Sequence, residues 1–177
     1  MIPMTDDIIL VDLFDEELGS CGKMEAHTQG KLHRAFSVFL YGERGLLLQQ
    51  RALQKYHSGG LWANTCCSHP KVGETILQAA QRRLLEETRI TCDISERFCF
   101  VYYQSFSNGL FEYELDHVLL GKYDGEASFD PSEISEMRWV GQEELQRELL
   151  ETPERFTAWF LIAAPQVLGL LKKSPIA

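Results

Sequence analysis

A thiol and an imidazole stand two residues apart in this sequence, at Cys67 and His69. On a β-strand, residues i and i+2 face the same side, so both side chains can reach one pocket. Such a pair could transfer a proton or bind a metal ion. The alternative for Cys67 is a small buried hydrophobe, which is the commoner role of a free cysteine. The adjacent Cys66 faces the opposite side of the strand, and we assign that buried role to it.

Two carboxylates, Glu86 and Glu87, lie near the end of a helix predicted just after this strand. A carboxylate pair at such a place can bind a hard divalent cation that also carries phosphate oxygens. The alternative is a pair of surface salt bridges, because Arg82 and Arg83 lie four residues earlier. Each of those would contribute only a few tenths of a kcal/mol. The helix by itself does not decide between the two interpretations.

Three histidines, His27, His33 and His69, border segments that are expected to surround the same pocket. Glu112 and Glu114 share one face of a predicted strand, since they are two residues apart. Three imidazoles with two carboxylates form a mixed nitrogen and oxygen set that suits Mn, Zn, Fe or Mg. The alternative for the two glutamates is the solvated face of an antiparallel strand, which alternation alone would favour.

Other candidate side chains have equally good structural roles. Tyr102 and Tyr103 point in opposite directions on one strand, so at most one of them faces the pocket, and alternation favours Tyr102. Trp159 fits a helical core as well as it fits a binding site. His57 and His117 are interpreted as hydrogen-bonded structural residues.

The charge of the chain limits its partners. The 177 residues carry a formal net charge of −9, which argues against non-specific binding to nucleic acids or to anionic membranes. A phosphorylated small molecule needs only a local group of cations. Lys23 lies in a polar connection, and Arg51 and Lys55 follow a predicted strand four residues apart. We therefore expect a small-molecule partner. A separate expectation is that the protein is a monomer.

The cysteines and the apolar segments indicate a cytoplasmic protein. Five cysteines form an odd number without a CxxC pair, so neither structural zinc nor a disulfide framework is predicted. No apolar run approaches the roughly 20 residues needed to cross a bilayer. Residues 1–17 are acidic and lack the features of a secretory signal.

Strands surrounding a few helices predict an α+β protein with one domain over residues 1–177. The segment 23–33 reads as a polar connection. Asn-Gly at 108–109 predicts the turn of a β-hairpin, in which this pair would supply the positive φ angles. A capping box at Thr75 and Gln78 begins a helix, and a later apolar helix is expected to break near Pro165. The predicted strands are 8–14, 35–41, 46–50, 61–67, 98–106, 110–120 and 137–140, and the other predicted helices are 142–150 and 156–171.

Four segments together resemble a known family. The stretch 73–87 is similar to a degenerate Nudix box, and residues 64–70, 26–33 and 112–114 look like those of the type 1 isopentenyl-diphosphate Δ-isomerases. The resemblance runs from about Leu10 to Trp159. It implies a Nudix-like α/β/α sandwich with a mixed β-sheet, and an enzyme that interconverts isopentenyl and dimethylallyl diphosphate in isoprenoid biosynthesis.

The resemblance also implies roles for individual residues. Cys67 and Glu114 would be the acid/base pair, with Tyr102 beside the glutamate. The ligands of a divalent Mn²⁺, Zn²⁺ or Mg²⁺ ion would be His27, His33, His69, Glu112 and Glu114. Glu87, and a backbone carbonyl at Cys67, would contact a second, diphosphate-associated Mg²⁺. The diphosphate would be held by Lys23, Arg51, Lys55 and Arg83, and Trp159 would lie near the hydrocarbon.

Two alternatives remain within this resemblance. A Nudix hydrolase needs a glutamate and a glycine at the positions of Arg83 and Arg89, and both are replaced here. A cation in place of a metal-gathering carboxylate should impair hydrolysis while it favours retention of a diphosphate. A non-catalytic, ligand-binding domain would be expected to lose Cys67 or Glu114, and neither is lost.

Overall fold

The computed structural model describes residues 7–173, which form one mixed nine-stranded sheet and four α-helices. The strands are β1 (Asp7–Val11), β2 (Glu17–Gly22), β3 (His33–Gly42), β4 (Gly45–Arg51), β5 (Trp62–Ala63), β6 (Cys66–Ser68), β7 (Ser95–Ser105), β8 (Phe111–Lys122) and β9 (Ile134–Val140). The helices are α1 (Lys23–Gln29), α2 (Ile76–Thr88), α3 (Gln142–Glu151) and α4 (Ala158–Lys173), and Pro153–Arg155 is a 3₁₀ turn. Residues 1–6, part of the segment in which no leader was expected, lie outside the described residues.

Strand β3 lies at the centre of the sheet. It pairs antiparallel with β4 and β6, parallel with β8, and through Leu10 and His33 with β1. Beyond these strands, β7 pairs antiparallel with β8, and β4 pairs with both β5 and β9. The sheet is therefore mixed, as the resemblance implied.

Helices cover the two faces of the sheet. Phe36, Val38 and Leu40 of β3 pack on the side of α2, and Phe39 packs on the side of α4. This alternation follows from the period of two in a β-strand. The layer on α2 includes Ala79, Ala80 and Leu84, and the layer on α4 includes Phe160, Ala163, Ala164 and Val167. The predicted α+β fold, a helix–sheet–helix sandwich, is confirmed.

Helix α2 begins at the predicted capping box. The Thr75 hydroxyl accepts a hydrogen bond from the Gln78 backbone N–H at 3.2 Å, and the Gln78 side chain accepts one from the Thr75 N–H at 3.0 Å. The helix ends at Arg89, whose φ of +58° lies in the left-handed region that favours glycine. Both ends of the helix are therefore fixed locally, which places its last turn against the site.

Two predictions about the helices were wrong. Segment 23–33 is not simply a connection, because it contains the seven-residue helix α1. So short a helix has little intrinsic stability and depends on burial of Ala26 and His27. Helix α4 also continues through Pro165 without a break. Burial of its apolar face, at roughly 1.5–3 kcal/mol per large side chain, exceeds the cost of about 3 kcal/mol for an internal proline.

Two strand predictions also need correction. The predicted strand 61–67 is two short strands separated by Asn64 and Thr65. The Asn64 amide donates to the Val38 and Cys66 carbonyls at 3.1 and 2.7 Å, and thus takes positions that a neighbouring strand would otherwise fill. In the hairpin between β7 and β8, only Gly109 of the Asn-Gly pair has a positive φ, at 79°.

All five cysteines are free thiols. No helix among residues 7–173 combines the length and the apolar character that a membrane span requires.

Candidate active site and metal centre

The register of neighbouring strands places the candidate residues on one face of the sheet. Cys67 of β6 pairs with Ser37 of β3, and Tyr102 of β7 pairs with Glu114 of β8. Directly paired residues point to the same side of a sheet. Cys66 faces away and is fully buried against α2. Cys67 and Cys66 therefore face opposite sides of the sheet, as the alternation of side chains along a strand predicted.

These side chains line one cavity with about 610 Å³ of empty space, including its open mouth. Its walls come from β3, β4, β6, β7, β8, α1, α2, α4 and the loop between β4 and β5. The predicted site residues that line it are Lys23, Arg51, Lys55, Cys67, His69, Arg83, Glu87, Tyr102, Glu112, Glu114 and Trp159. His27 and His33 are fully buried behind its wall.

Cys67 is partly exposed to the cavity, and the Arg51 guanidinium Nη1 lies 4.0 Å from its sulfur. Burial raises the pKa of the Cys67 thiol to about 12, although the positive charge of Arg51 acts in the opposite direction. The thiol is therefore protonated at neutral pH in the metal-free protein. It can donate a proton into the cavity, and as a thiolate it could take one back.

Glu114 has the opposite protonation state. Its Oε1 lies 2.8 Å from His69 Nε2 and 3.3 Å from His33 Nε2, and its Oε2 accepts a hydrogen bond of 2.6 Å from the Tyr102 hydroxyl. Burial raises the pKa of Glu114, but its contacts with His33 and His69 outweigh that effect, so the pKa lies well below its usual range. The carboxylate is ionised.

The Tyr102 hydroxyl lies between two carboxylates, with Glu112 Oε2 at 2.8 Å on its other side. Burial, followed by the nearby charge of Glu114, raises the pKa of Glu112. Burial and the two glutamates also raise the pKa of Tyr102, which remains a neutral donor. Tyr103 points the other way, and 58% of its surface is exposed.

The inner histidines have one nitrogen each fixed by an oxygen. His27 Nδ1 lies 2.8 Å from the Lys23 carbonyl, and His33 Nδ1 lies 2.7 Å from the Lys31 carbonyl. Since a carbonyl only accepts, each Nδ1 must carry a proton, which leaves each Nε2 directed inward. Burial lowers the pKa of His27 to about 4 and that of His69 to about 3, so both rings are neutral.

These groups fit a divalent metal ion. One set of potential ligand atoms, all within 4.8 Å of one another, comes from His27, His33, His69 and Glu114. His33 Nε2 faces His69 Nε2 at 3.2 Å, and His27 Nε2 is buried without a hydrogen bond. Ring nitrogens that face each other at this distance need a proton or a cation between them. Neutral imidazoles together with a carboxylate form a set of ligands that suits such a cation.

A group of cations also lines the cavity. Lys23, Arg51, Lys55 and Arg83 all line it, and Arg83 donates to Glu87. Glu87 is only 3% exposed, and burial raises its pKa. The sequence had left surface ion pairs as an alternative for the two helical glutamates. That alternative describes Glu86, which is exposed and contacts both neighbouring arginines, but not Glu87.

The Trp159 ring closes the cavity from α4. Its indole N–H donates to the Asn64 side-chain oxygen at 3.1 Å, and the Arg51 guanidinium lies 5.3 Å from the ring centre. Asn64 is itself fixed by its two backbone acceptors, so the indole has one orientation. The ring thus belongs both to the core and to the cavity wall.

Four further titratable residues of the wall were not predicted from the sequence: Tyr56, His57, Asp116 and Glu133. Alternation could have found Asp116, which continues the face of Glu112 and Glu114. Its carboxyl accepts a hydrogen bond of 2.8 Å from Ser37, and burial raises its pKa well above the usual value. The other three lie in loops or at a strand edge, where no periodic pattern marks them.

Comparison with known proteins supports the resemblance. The family model of the NUDIX domain matches residues 31–160. An isopentenyl-diphosphate Delta-isomerase 2 from Aromatoleum aromaticum is 45% identical over 94% of this chain and 88% of its own length. An isopentenyl-diphosphate Delta-isomerase from Pectobacterium atrosepticum is 46% identical over 94% of this chain and 93% of its own length.

Solved structures show the same fold. A protein from Deinococcus radiodurans superimposes with a TM-score of 0.68 at 20% identity, over 82% of this chain and 90% of its own. A MutT protein from Methanosarcina mazei gives a TM-score of 0.62 at 16% identity, over 81% and 96%. Since a NUDIX domain spans most of the chain and close relatives align along nearly all of it, the chain belongs to the isopentenyl-diphosphate Delta-isomerases of the Nudix superfamily.

Proposed function

We propose that this protein interconverts isopentenyl diphosphate and dimethylallyl diphosphate, and that Cys67 and Glu114 are the proton-transfer pair. The observation that carries this proposal is that a protonated thiol and an ionised carboxylate line the same cavity. Moving the double bond adds one proton at one carbon and removes another nearby, so one group must enter protonated and the other ionised. Environments that push two pKa values apart provide this pair.

The reaction needs more than positioned proton transfer. Protonation of an unactivated alkene gives a tertiary carbocation, which water would trap. Positioned acids and bases contribute about 10²–10⁴-fold, so charge stabilisation and exclusion of water must supply the rest. The fixed Trp159 indole can stabilise a nearby cation by about 2 kcal/mol when it is desolvated. Tyr102 can pass a proton between substrate and Glu114, because its hydroxyl already donates to that carboxylate.

His27, His33, His69, Glu112 and Glu114 would hold one divalent ion, Mn²⁺, Zn²⁺ or Mg²⁺. The charge of such an ion would hold Glu114 in place and would make nearby donors more acidic. The backbone carbonyl oxygens of Lys23 and Lys31 orient the imidazoles of His27 and His33 for this role. Removal of the ion with a chelator should abolish turnover, and a divalent metal should restore it. Full turnover in excess chelator would contradict this part of the proposal.

The diphosphate would be bound by Lys23, Arg51, Lys55 and Arg83. Glu87, with the backbone carbonyl of Cys67, would hold the Mg²⁺ that accompanies it. Binding energy at this end can hold the short hydrocarbon between the proton-transfer groups. Four cations lining one cavity, in a chain with a net charge of −9, support this assignment.

Hydrolysis is the less favoured chemistry for this site. Arg83, in place of the glutamate of a Nudix hydrolase, contacts Glu87 and Glu133 and therefore occupies space next to the metal-binding carboxylate. We expect no phosphate release from nucleoside diphosphate derivatives. We further propose that the protein is cytoplasmic and forms a single domain over residues 1–177. We also propose that it is a monomer, which sedimentation of the purified protein would test.

The decisive experiment replaces each proton-transfer group. Cys67→Ala and Glu114→Gln should each lower kcat by about 10²–10⁴-fold or more, because that is the typical contribution of one positioned acid or base. Cys66→Ala removes a thiol from the other face of the same strand and should retain activity. Conversion of isopentenyl diphosphate in deuterated water, followed by NMR, measures both turnover and incorporation of label. Normal conversion by either active-site variant would refute the assignment, and circular dichroism would show that the variants are folded.

A further inference from the structure

His57 occupies an unexpected place in the cavity wall. It lies in the loop between β4 and β5, and only 6% of its surface is exposed. The loop is held in place by hydrogen bonds: Asn108 donates to the Tyr56 carbonyl at 2.9 Å, and Arg51 donates to the His57 carbonyl at 3.4 Å. The next residue, Ser58, has a φ of +54°, a left-handed conformation that strains a residue with a side chain.

The imidazole of His57 is fixed on three sides. It stacks on Phe106 with ring centres 4.6 Å apart, and it contacts the Tyr56 ring edge-on at 4.4 Å. Its Nδ1 lies 3.2 Å from the Ser58 hydroxyl oxygen. At His27 and His33, too, an oxygen atom lies within hydrogen-bond distance of Nδ1, although there it belongs to a backbone carbonyl. Such an oxygen orients the ring and leaves the other nitrogen directed inward, which is typical of metal-binding histidines.

The inward nitrogen of His57 has no hydrogen bond. Glu112 Oε1 is close, at 2.8 Å, but it does not lie in the direction of a ring N–H bond, so both atoms remain available to a third partner. A second set of potential ligand atoms within 4.8 Å of one another comes from His27, His57 and Glu112. All three residues are buried. A buried nitrogen without a partner is costly unless something binds it.

His27 connects this set to the first one. Its Nδ1 carries a proton that is donated to the Lys23 carbonyl, so only Nε2 can bind a metal ion. One imidazole nitrogen has one lone pair and can bind only one ion. If both sets of ligand atoms bind metal, they must therefore serve the same ion rather than two separate ions.

We propose that His57 is a further ligand of the divalent ion, so that four imidazoles hold it together with Glu112 and Glu114. This inference rests on the proposed metal-binding role of His27. Imidazole nitrogen favours Zn²⁺, Fe²⁺ and Ni²⁺, whereas Mg²⁺ prefers oxygen ligands and retains water. The fourth imidazole therefore makes this centre selective for the nitrogen-binding metals.

The test compares metal affinities of the folded protein, with Zn²⁺ and Mg²⁺ as the probes. His57→Phe keeps the aromatic packing and removes the nitrogen. It should raise the dissociation constant for Zn²⁺ by at least about 10-fold, and that for Mg²⁺ by less than about twofold. Competition with a chromophoric chelator measures the first constant and calorimetry the second. The visible absorption of bound Co²⁺ should also change, because one ligand is lost.

A matched control is His117→Phe. His117 is equally buried, but its two nitrogens face Glu96 and Asp15, away from the metal-binding groups. This variant should bind Zn²⁺ like the wild type. Unchanged Zn²⁺ affinity in His57→Phe, or an equal loss for Zn²⁺ and Mg²⁺, would overturn the inference.

A third variant, His27→Ala, separates this inference from the proposed function. If His27→Ala retains normal Zn²⁺ affinity, the proposed metal centre itself is wrong. If His27→Ala loses Zn²⁺ and His57→Phe does not, only the role of His57 is refuted. Thermal unfolding of each metal-free variant shows that it is folded, so a loss of affinity cannot be attributed to misfolding.

Discussion

Replacement of Tyr102 by phenylalanine would test how the two buried glutamates are held. The Tyr102 hydroxyl lies 2.6 Å from Glu114 and 2.8 Å from Glu112, and it can donate its one proton to either carboxylate. Tyr102→Phe removes one oxygen and leaves the aromatic ring, which packs against Phe100 and Trp159. The fold should therefore be retained while the carboxylate loses its neutral donor.

The magnitude follows from the number of hydrogen bonds that can be lost. One hydroxyl proton can be donated to only one oxygen at a time. A hydrogen bond to a charged group contributes about 1.5–3 kcal/mol, and each 1.36 kcal/mol changes a rate tenfold, so kcat should fall by roughly 10–150-fold. KM should change little, because the Tyr102 hydroxyl contacts the two glutamates.

The assay is steady-state conversion of isopentenyl diphosphate by the metal-loaded protein. Tyr103→Phe is the matched control, since Tyr103 is the next residue of the same strand and points to solvent. It should retain kcat within about twofold, as expected for an exposed substitution. An unchanged kcat in Tyr102→Phe, or a loss that appears only in KM, would refute the reasoning that this hydroxyl supports proton transfer.

Three other predictions concern the binding end, the thiol and the helix cap. Arg83→Gln should lower kcat/KM by roughly 10–150-fold through loss of a charged hydrogen bond. Arg82→Gln should not, because the Arg82 guanidinium contacts Glu74 and Glu86 and does not line the cavity. Equal effects would contradict the assignment. In metal-free protein at pH 8, iodoacetamide should alkylate Cys67 at least about 100-fold more slowly than the exposed Cys99. The reason is that the raised pKa of Cys67 keeps it as the unreactive thiol until the pH approaches that pKa. Similar alkylation rates of the two cysteines, measured by peptide mass spectrometry, would disprove the shift. Arg89→Gly should raise the free energy of unfolding by about 1 kcal/mol, because φ is +58° at this residue. Arg89→Ala should not raise it. Denaturant titration measures both variants, and destabilisation by glycine would contradict the prediction.

Much of the sheet could be predicted because strand periodicity is a local property. The alternation in 110–120 correctly placed Glu112 and Glu114 on one face, and the same rule separated Cys67 from Cys66. The capping box predicted the start of α2 because a cap depends on four consecutive residues. What periodicity could not reveal was that the face of Glu112 is covered, because solvent and protein can both lie over a polar strand face.

Errors occurred where long-range packing outweighed local preference. Helix α1 has only seven residues, so no apolar period could identify it, and burial of His27 stabilises it. Pro165 predicts a break by its local chemistry, yet the apolar face of α4 is buried against the sheet on both sides of that residue. In both cases, contacts between segments distant in sequence contribute more free energy than the local signal.

The sequence by itself determined which side chains share a face, where α2 begins and which side chains capable of proton transfer and metal binding are present. Only the tertiary structure decided which of those groups meet. His57 shows the difference: its loop has no repeating pattern, and its imidazole reaches Glu112 because Arg51 and Asn108, from two other segments, hold the loop backbone. Periodicity reports the direction of a side chain within one element, whereas the convergence of α1, β6, β8 and this loop depends on how the elements pack around a single core.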